Sequence, residues 1–240
     1  MNKIYIDCGT HLGEGLKKHI ADYNIDESWK IFTFEANTNT YSLLQSIRAN
    51  NNLPEQYKWL KWDNIIYANK AVWIKDDEMS FYCSEVANRD QLNNDQSYVD
   101  FIKFHDELVK NGELVTAHQR NDYPIDGSST IMPDHFKSNL SNIGNSLQKS
   151  LVWDNKITVP CFDFSTWLKN NVKQEDYVLC KIDIEGAEFE VLKKCIMDDT
   201  LKLINQIDIE FHHFGNPLYI QDYNFILQEI HKLNIKFNVW

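Results

Sequence analysis

Five short, nearly continuous apolar runs constrain the fold of this chain more than any other feature of its sequence. Runs of this length are typical of strands that are buried on both faces of a mainly parallel sheet. Parallel strands need long crossover connections, which are usually helices. We therefore expect an α/β fold. The runs are Lys3 to Cys8, Lys30 to Glu35, Asn64 to Val72, Tyr177 to Ile184 and Gln206 to Phe211.

Helix-length segments lie between these runs, so strand and helix alternate along the chain. With 240 residues, the chain is long enough for a single domain of this class with some embellishment. We treat residues 1–240 as one domain. The predicted helices are Glu14 to Tyr23, Thr40 to Asn50, Ala187 to Met197 and Tyr219 to Leu233, and a closing edge strand is predicted at Lys236 to Trp240.

A polar stretch from about residue 76 to residue 156 interrupts the alternation. It contains a helical pattern from Tyr98 to Val109, which a glycine stop follows, and a second one from about Phe136 to Gln148. Because ligands bind at the carboxyl edge of open α/β sheets, we interpret the stretch as an insertion over that edge and a candidate substrate lid. A solvated decoration without ligand contacts is the alternative.

Charge and cysteine usage argue against several classes of protein. Lys and Arg total 24 against 35 Asp and Glu, which gives a net charge of −11, and no long basic run occurs. Nucleic acid is therefore not expected as a partner. The five cysteines never form a C-x-x-C pair, which argues against a zinc ribbon and a disulfide framework. No apolar segment has the length of a membrane span or of a signal peptide core, so we expect a cytoplasmic protein.

A glycine-rich segment follows the first predicted strand. Its Asp-x-Gly-x-x-x-Gly spacing differs from the G-x-G-x-x-G spacing of pyrophosphate-binding loops. Glycines there allow a tight turn and a close approach of backbone N–H groups to a nucleotide. The nearby carboxylate suits the ammonium of an amino-acid moiety, so the loop favours a positively charged sulfonium cofactor. The candidate cofactor-binding residues are Asp7, Gly9, Thr10, Gly13 and Glu14.

An acidic residue, Glu35, ends the second predicted strand. At that position a carboxylate accepts hydrogen bonds from two adjacent ribose hydroxyls. The loop after the third strand lies near the expected adenine edge, although short polar loops are common without such a role. Further cofactor candidates are therefore Ala36, Asn37, Asn69 and Ala71.

Acidic residues and a histidine cluster late in the chain. Asp183 and Glu185 share side-chain parity after one buried strand, and Glu210 and His212 share it after the next. If the two strands are neighbours, the four side chains meet at the carboxyl edge. Glu188 alone is expected only to complement a helix N-terminus.

Like charges at such close range raise at least one carboxyl pKa, or hold a proton or a cation between them. A carboxylate or His212 would take a proton from a substrate hydroxyl, and a divalent cation would polarise the same hydroxyl. Oxygen ligands with one imidazole suit Mg or Mn better than Zn. The catalytic candidates are Asp183, Glu185, Glu210 and His212, and a metal would be held by Asp183, Glu210 and His212.

Five segments of the sequence together resemble the FkbM-type class I S-adenosylmethionine-dependent methyltransferases. The string Lys-x-Asp-x-Glu-Gly-x-Glu is the most specific of them. The resemblance spans most of the chain and thins between about Cys83 and Tyr123. The five segments are Tyr5 to Glu14, Phe34 to Asn37, Val159 to Leu168, Lys181 to Leu192 and Ile209 to His212.

The resemblance implies a Rossmann-like sheet of seven mostly parallel strands with an antiparallel C-terminal edge strand. It implies S-adenosylmethionine as methyl donor and methylation of a hydroxyl, often on sugars, glycans or natural products. In that family pattern Asp7, Gly9 and Gly13 form the cofactor loop, and Glu35 holds the ribose. Asp183, which is also a cofactor-binding candidate, lies near the transferring methyl with Glu210. A methyltransferase for a protein or nucleic-acid acceptor, a non-catalytic cofactor-binding relic and a nicotinamide-linked oxidoreductase remain as alternatives.

Overall fold

The computed structural model describes residues 1–53, 55–84, 151–212 and 217–240 of the chain. Strands and helices alternate in these ranges, which confirms the predicted α/β class. In chain order the elements are β1 (Lys3–Cys8), α1 (Glu14–Tyr23), β2 (Lys30–Phe34), α2 (Thr38–Ala49), a 3₁₀ helix (Glu55–Lys61), β3 (Ile65–Ala68), β4 (Ala71–Trp73), β5 (Asp77–Ser84), β6 (Leu151–Asp163), α3 (Phe164–Asn171), β7 (Tyr177–Ile182), α4 (Glu188–Met197), a 3₁₀ helix (Leu201–Leu203), β8 (Gln206–Ile209), α5 (Pro217–Lys232) and β9 (Lys236–Val239).

The main sheet has six strands in the order β3-β2-β1-β7-β8-β9. Alternate residues of one strand enter two different hydrophobic clusters, one on each face of the sheet. Tyr5 of β1 packs in the cluster that holds Leu16 of α1 and Leu44 of α2. Ile4 packs in the cluster that holds Phe189 of α4 and Ile230 of α5. The strands are therefore buried on both faces, which explains why they appear as continuous apolar runs.

The expected seven strands with an antiparallel C-terminal edge need correction. Six strands form the main sheet in the described ranges, and β9 pairs with β8 in parallel, with Ile207 opposite Phe237. The direction follows from the connection, because α5 carries the chain back across the sheet before β9 begins. Within the described residues, none of the helices combines the length and the apolar character of a membrane span.

The predicted third strand, Asn64 to Val72, is two strands in two sheets. β3 is an edge of the main sheet, whereas β4 joins a three-stranded sheet in the order β4-β6-β5. β5 and β6 pair antiparallel, so both ends of the predicted insertion (76–156) belong to this second sheet. The helices predicted at Tyr98 to Val109 and Phe136 to Gln148 lie outside the described residues.

Candidate active site

Parallel register places one row of polar side chains across the main sheet. Asp7 of β1 lies opposite Lys181 of β7, Lys181 lies opposite Asp208 of β8, and Asp208 lies opposite Asn238 of β9. Residues paired in this way point to the same face of a sheet. His19 of α1 bonds to Asp208, so the row faces α1. One residue beyond this row, the strands end and the loops at the carboxyl edge begin.

The glycine loop (residues 9–13) packs between the ends of β2 and β7. The N–H groups of Gly9 and Thr10 both donate to the carbonyl of Phe34 in β2 at 3.0 Å. Gly9 has a φ of 81°, and a Cβ at this position would lie 1.8 Å from the carbonyl oxygen of Asp183. Only glycine fits such a conformation at such a distance. The loop is therefore in direct backbone contact with the acidic segment that follows β7 (residues 183–188).

Gly13 ends the loop and is the N-terminal capping residue of α1, with a φ of 94°. A Cβ here would meet the ring of Trp59 at 2.8 Å. Glu14 turns its carboxylate back to the loop and accepts from the Leu12 N–H and the His11 ring at 3.2 Å. Burial by itself raises the pKa of Glu14, but attraction to His11 outweighs it and lowers the pKa. Thr10 donates to the carbonyl of Asp7 at 3.2 Å.

Glu35 follows β2 and joins the glycine loop to the loop after β2 by hydrogen bonds. One carboxylate oxygen accepts from the His11 N–H and the other from the Asn37 N–H, each at 2.7 Å. Burial raises the pKa of Glu35. A carboxylate has about four lone-pair positions, so two bonds leave acceptor capacity for ribose hydroxyls. The carboxylate that is predicted to bind the ribose is thus hydrogen-bonded to the glycine loop.

The other predicted cofactor residues have clear structural partners. Asn37 caps α2 by accepting from the Asn39 and Thr40 N–H groups. Asn69 donates to the carbonyls of Glu35 and Ala36, which fixes the end of β2. Ala71 lies in β4 and is buried in the core cluster. Asp7 is fully buried within β1, and its carboxylate lies 3.6 Å from the ammonium of Lys181.

His212 follows β8 and lies at the centre of a cluster of carboxylates from the ends of β7 and β8. Its Nε2 is 3.6 Å from carboxylate oxygens of Glu185 and Glu210 and 3.9 Å from one of Asp183. The sequence prediction that these four side chains meet at one edge is consistent with these distances. The ligand atoms of Asp183, Glu185 and His212 lie within 4.8 Å of one another, a suitable spacing for a metal ion. The grouping differs from the predicted metal set, because Glu185 replaces Glu210.

Glu188 was expected only to complement a helix N-terminus, and its contacts go further. Its fully buried carboxylate accepts from the N–H groups of Ile184 and Gly186 and contacts Nδ1 of His212 at 3.0 Å. It thereby fixes the turn in which Glu185 has a φ of 53° and Gly186 a φ of 101°. Left-handed conformation at a non-glycine residue costs energy and persists where neighbours enforce it. Glu188 shapes the turn and orients the histidine ring.

The protonation state of the cluster follows from its crowded carboxylates. Burial raises the pKa of Glu185 to about 8, and burial also raises the pKa of Glu210. Burial by itself lowers the pKa of His212, but Glu188 and the other carboxylates outweigh it and raise the pKa to about 10. At neutral pH His212 is therefore a cation in the metal-free protein. Of the two kinds of proton acceptor predicted from the sequence, His212 thus already holds a proton at neutral pH.

Asp208 shares strand parity with Glu210 but belongs to a separate network under α1. Its carboxylate bonds to His19 at 2.9 Å, Tyr23 at 2.7 Å and Asn238 at 2.8 Å. Burial by itself raises the pKa of Asp208, but these hydrogen bonds outweigh it and lower the pKa below its usual value. This carboxylate therefore contributes stability above its usual pKa, and the contribution is lost as the pH falls through the lower value of the folded state.

We expect Asp208→Asn to reduce the free energy of unfolding at pH 7, because the charged hydrogen bonds are lost. The deficit relative to the wild type should shrink at pH 3, because the unfolded chain takes up a proton at Asp208 below its usual pKa. Urea unfolding at both pH values measures the two deficits. Equal deficits at pH 7 and pH 3 would show that the charge of Asp208 contributes nothing.

Comparison with known proteins agrees with the resemblance noted from the sequence. The chain matches the model of the methyltransferase FkbM domain over residues 7–237. Among solved structures it is similar to methyltransferase FkbM from Methylobacillus flagellatus KT, with 12% identity and a TM-score of 0.45. That alignment covers 98% of this chain and 38% of the other. No curated protein matches the chain. Because the domain model matches nearly the whole sequence, the chain belongs to the FkbM methyltransferase domain family.

Proposed function

We propose that this protein is an S-adenosylmethionine-dependent O-methyltransferase that acts on a hydroxyl of a sugar, a glycan or a glycosylated small molecule. The observation that carries the proposal is the contact between the glycine loop and the acidic segment, where Gly9 lies against the backbone of Asp183. A cofactor on the loop and an acceptor at the carboxylates would therefore be immediate neighbours. Holding two reactants in this way supplies much of the acceleration of a transfer reaction.

The cofactor side of the proposal rests on the loop and on Glu35. Gly9 and Gly13 have conformations that side chains rarely adopt, and the loop backbone lies at the N-terminus of α1. Glu35 is held by two backbone N–H groups and keeps acceptor capacity for ribose hydroxyls. These residues fit S-adenosylmethionine, which supplies a sulfonium methyl group when bound.

The acceptor side rests on the carboxylates. We assign Asp183 as the base that takes the hydroxyl proton, with Glu210 beside it at the more exposed side of the cluster. His212, as a cation, holds the carboxylates in place and offsets their charge. Ionised carboxylates are strong acceptors for hydroxyl groups, which suits a sugar acceptor. Glu185, whose pKa is raised to about 8, is mostly protonated at pH 7 and is the weaker candidate for the base.

A divalent cation such as Mg or Mn fits the same cluster. Asp183, Glu185 and His212 would hold it, and both the carboxyl of Glu185 and Nε2 of His212 would have to lose their protons first. When bound, the cation would supply a Lewis acid next to the acceptor hydroxyl. Glu188 would keep its contact with Nδ1 of His212 and orient the ring in either state.

Calorimetric titration with S-adenosylmethionine and S-adenosylhomocysteine tests the cofactor, with NAD as the control. We expect micromolar binding of both sulfur nucleotides and none of NAD. Glu35→Ala should weaken binding by about tenfold to a hundredfold, because charged hydrogen bonds to the ligand are lost. Asp183→Asn is the matched control, since it removes a charge at the same edge and should leave the affinity within a few-fold.

The same Asp183→Asn protein separates binding from chemistry. With an acceptor found by screening sugars for release of S-adenosylhomocysteine, its turnover should fall far more than its cofactor affinity. Failure of the wild-type protein to bind either sulfur nucleotide would overturn the cofactor assignment. An unchanged turnover in Asp183→Asn would remove Asp183 from the role of base.

A further inference from the structure

Lys181 is a buried lysine whose ammonium contacts both sides of the site. It precedes Asp183 by two residues on β7, and its side chain is 3% exposed. Nζ donates to the carbonyl of Gly9 at 2.7 Å and forms an ion pair with Oδ2 of Asp183 at 3.0 Å. A third partner, Oδ1 of Asp7, lies 3.6 Å away. One ammonium therefore joins the glycine loop, the acidic segment and the carboxylate of Asp7 near the end of β1.

The path of this side chain is fixed along its whole length. A Cβ at Gly15 of α1 would lie 3.3 Å from Cε of Lys181 and 3.4 Å from its Nζ. The helix backbone thus packs directly on the lysine stem. A buried long side chain in such a narrow space loses its rotamer freedom when the protein folds, so its ammonium stays in one place.

Charge balance explains part of this arrangement. Asp7 is fully buried, and no protein group within the described ranges forms a hydrogen bond to either of its carboxylate oxygens. A buried carboxylate needs a nearby cation, which Lys181 provides. The bond from Lys181 to the uncharged carbonyl of Gly9 is not needed for that balance. It holds the loop to β7, while the bonds of Gly9 and Thr10 to Phe34 hold it to β2.

We propose that Lys181 is a positioning residue. Its ammonium contacts the Gly9 carbonyl and the Asp183 carboxylate at the same time, and so fixes the glycine loop relative to the proposed base. The part of this inference that concerns Asp183 as a base rests on the proposed function. The part that concerns the geometry of the two segments does not. Loss of the ammonium should loosen both segments together, although they are far apart in the sequence.

Lys181→Met tests this by removing the charge while keeping a long unbranched side chain. Hydrogen exchange measured by mass spectrometry reports on residues 9–16 and 183–190 in the ligand-free protein, and calorimetry reports on binding of S-adenosylhomocysteine. We expect faster exchange in both segments and at least about tenfold weaker binding. Lys193→Met is the matched control, because Lys193 pairs with Glu190 and Asp222 on α4 and α5. This variant should change neither the exchange rates nor the binding of S-adenosylhomocysteine.

The double variant Asp7→Asn with Lys181→Met separates positioning from charge balance. It removes both charges of the buried pair, so it should fold even if Lys181→Met alone does not. If Lys181 positions the loop, the double variant still exchanges fast at both segments and still binds weakly. Wild-type affinity and wild-type exchange in the double variant would overturn the proposal, because they would show that Lys181 only balances Asp7. If the wild-type protein itself does not bind the probe, the proposed function fails, and exchange alone decides the role of Lys181.

Discussion

Gly9→Ala is expected to destabilise the protein by about 3 kcal/mol or more, because it combines backbone strain with a steric collision. Gly9 has a φ of 81°, and the new methyl group would lie 1.8 Å from the carbonyl oxygen of Asp183. Neither backbone segment moves easily, because the Asp183 N–H donates to the carbonyl of Cys8 and the Lys181 ammonium donates to the carbonyl of Gly9. Chemical unfolding measures the loss, and S-adenosylhomocysteine binding should fall with it.

Gly13→Ala is the matched control for this variant. Gly13 has nearly the same φ, but its Cβ would meet a side chain, the ring of Trp59, at 2.8 Å. The strain of the left-handed conformation alone costs about 1 to 2 kcal/mol. Part of the collision is relieved if the ring shifts, so Gly13→Ala should destabilise less than Gly9→Ala. An equal or smaller loss for Gly9→Ala would show that the loop is not packed against the acidic segment.

Glu188→Ala is expected to cost about 3 to 5 kcal/mol of stability, because it leaves two backbone N–H groups without an acceptor and removes the closest partner of a buried cation. The carboxylate of Glu188 contacts His212 at 3.0 Å and accepts from the N–H groups of Ile184 and Gly186. Its loss should also free the ring of His212 to turn. Unfolding by urea measures the stability, and the NMR signals of the His212 ring report on its orientation.

Two variants on the same helix control for this result. Glu188→Gln keeps an acceptor oxygen and should cost less, about 1 to 3 kcal/mol. Glu190→Ala removes a carboxylate from the same helical turn, but Glu190 is partly exposed and pairs with Lys193. It should cost less than about 1 kcal/mol. If Glu188→Ala were no worse than Glu190→Ala, Glu188 would be only the helix-end charge expected from the sequence.

The main sheet was predictable because its strands are buried on both faces. β1 and α1 have the predicted bounds, and β7 and β8 end within two residues of theirs. The second sheet was not predictable in the same way. β4 continues the apolar run of β3 but belongs to another sheet, and β5 and β6 pair across a separation of more than 60 residues. Neither the break between sheets nor such a pairing leaves a local pattern in the sequence.

The candidate site was predictable where side-chain parity and strand order determine position. Parity and strand order are why Asp183, Glu185, Glu210 and His212 were expected together. Lys181 and Glu188 were part of the most specific motif, yet their roles depend on tertiary contacts. Lys181 reaches the carbonyl of Gly9, 172 residues away in the chain, and only the register of β1 and β7 makes that contact possible.

The most direct test of this account is a crystal structure of the protein with S-adenosylhomocysteine bound. We predict the ribose hydroxyls within hydrogen-bond distance of Glu35 and the sulfur atom between the Gly9 loop and the carboxylate of Asp183. That arrangement would place a methyl group next to the proposed base. Ligand density away from the carboxyl edge of the main sheet, or a sulfur atom directed away from Asp183, would contradict the account.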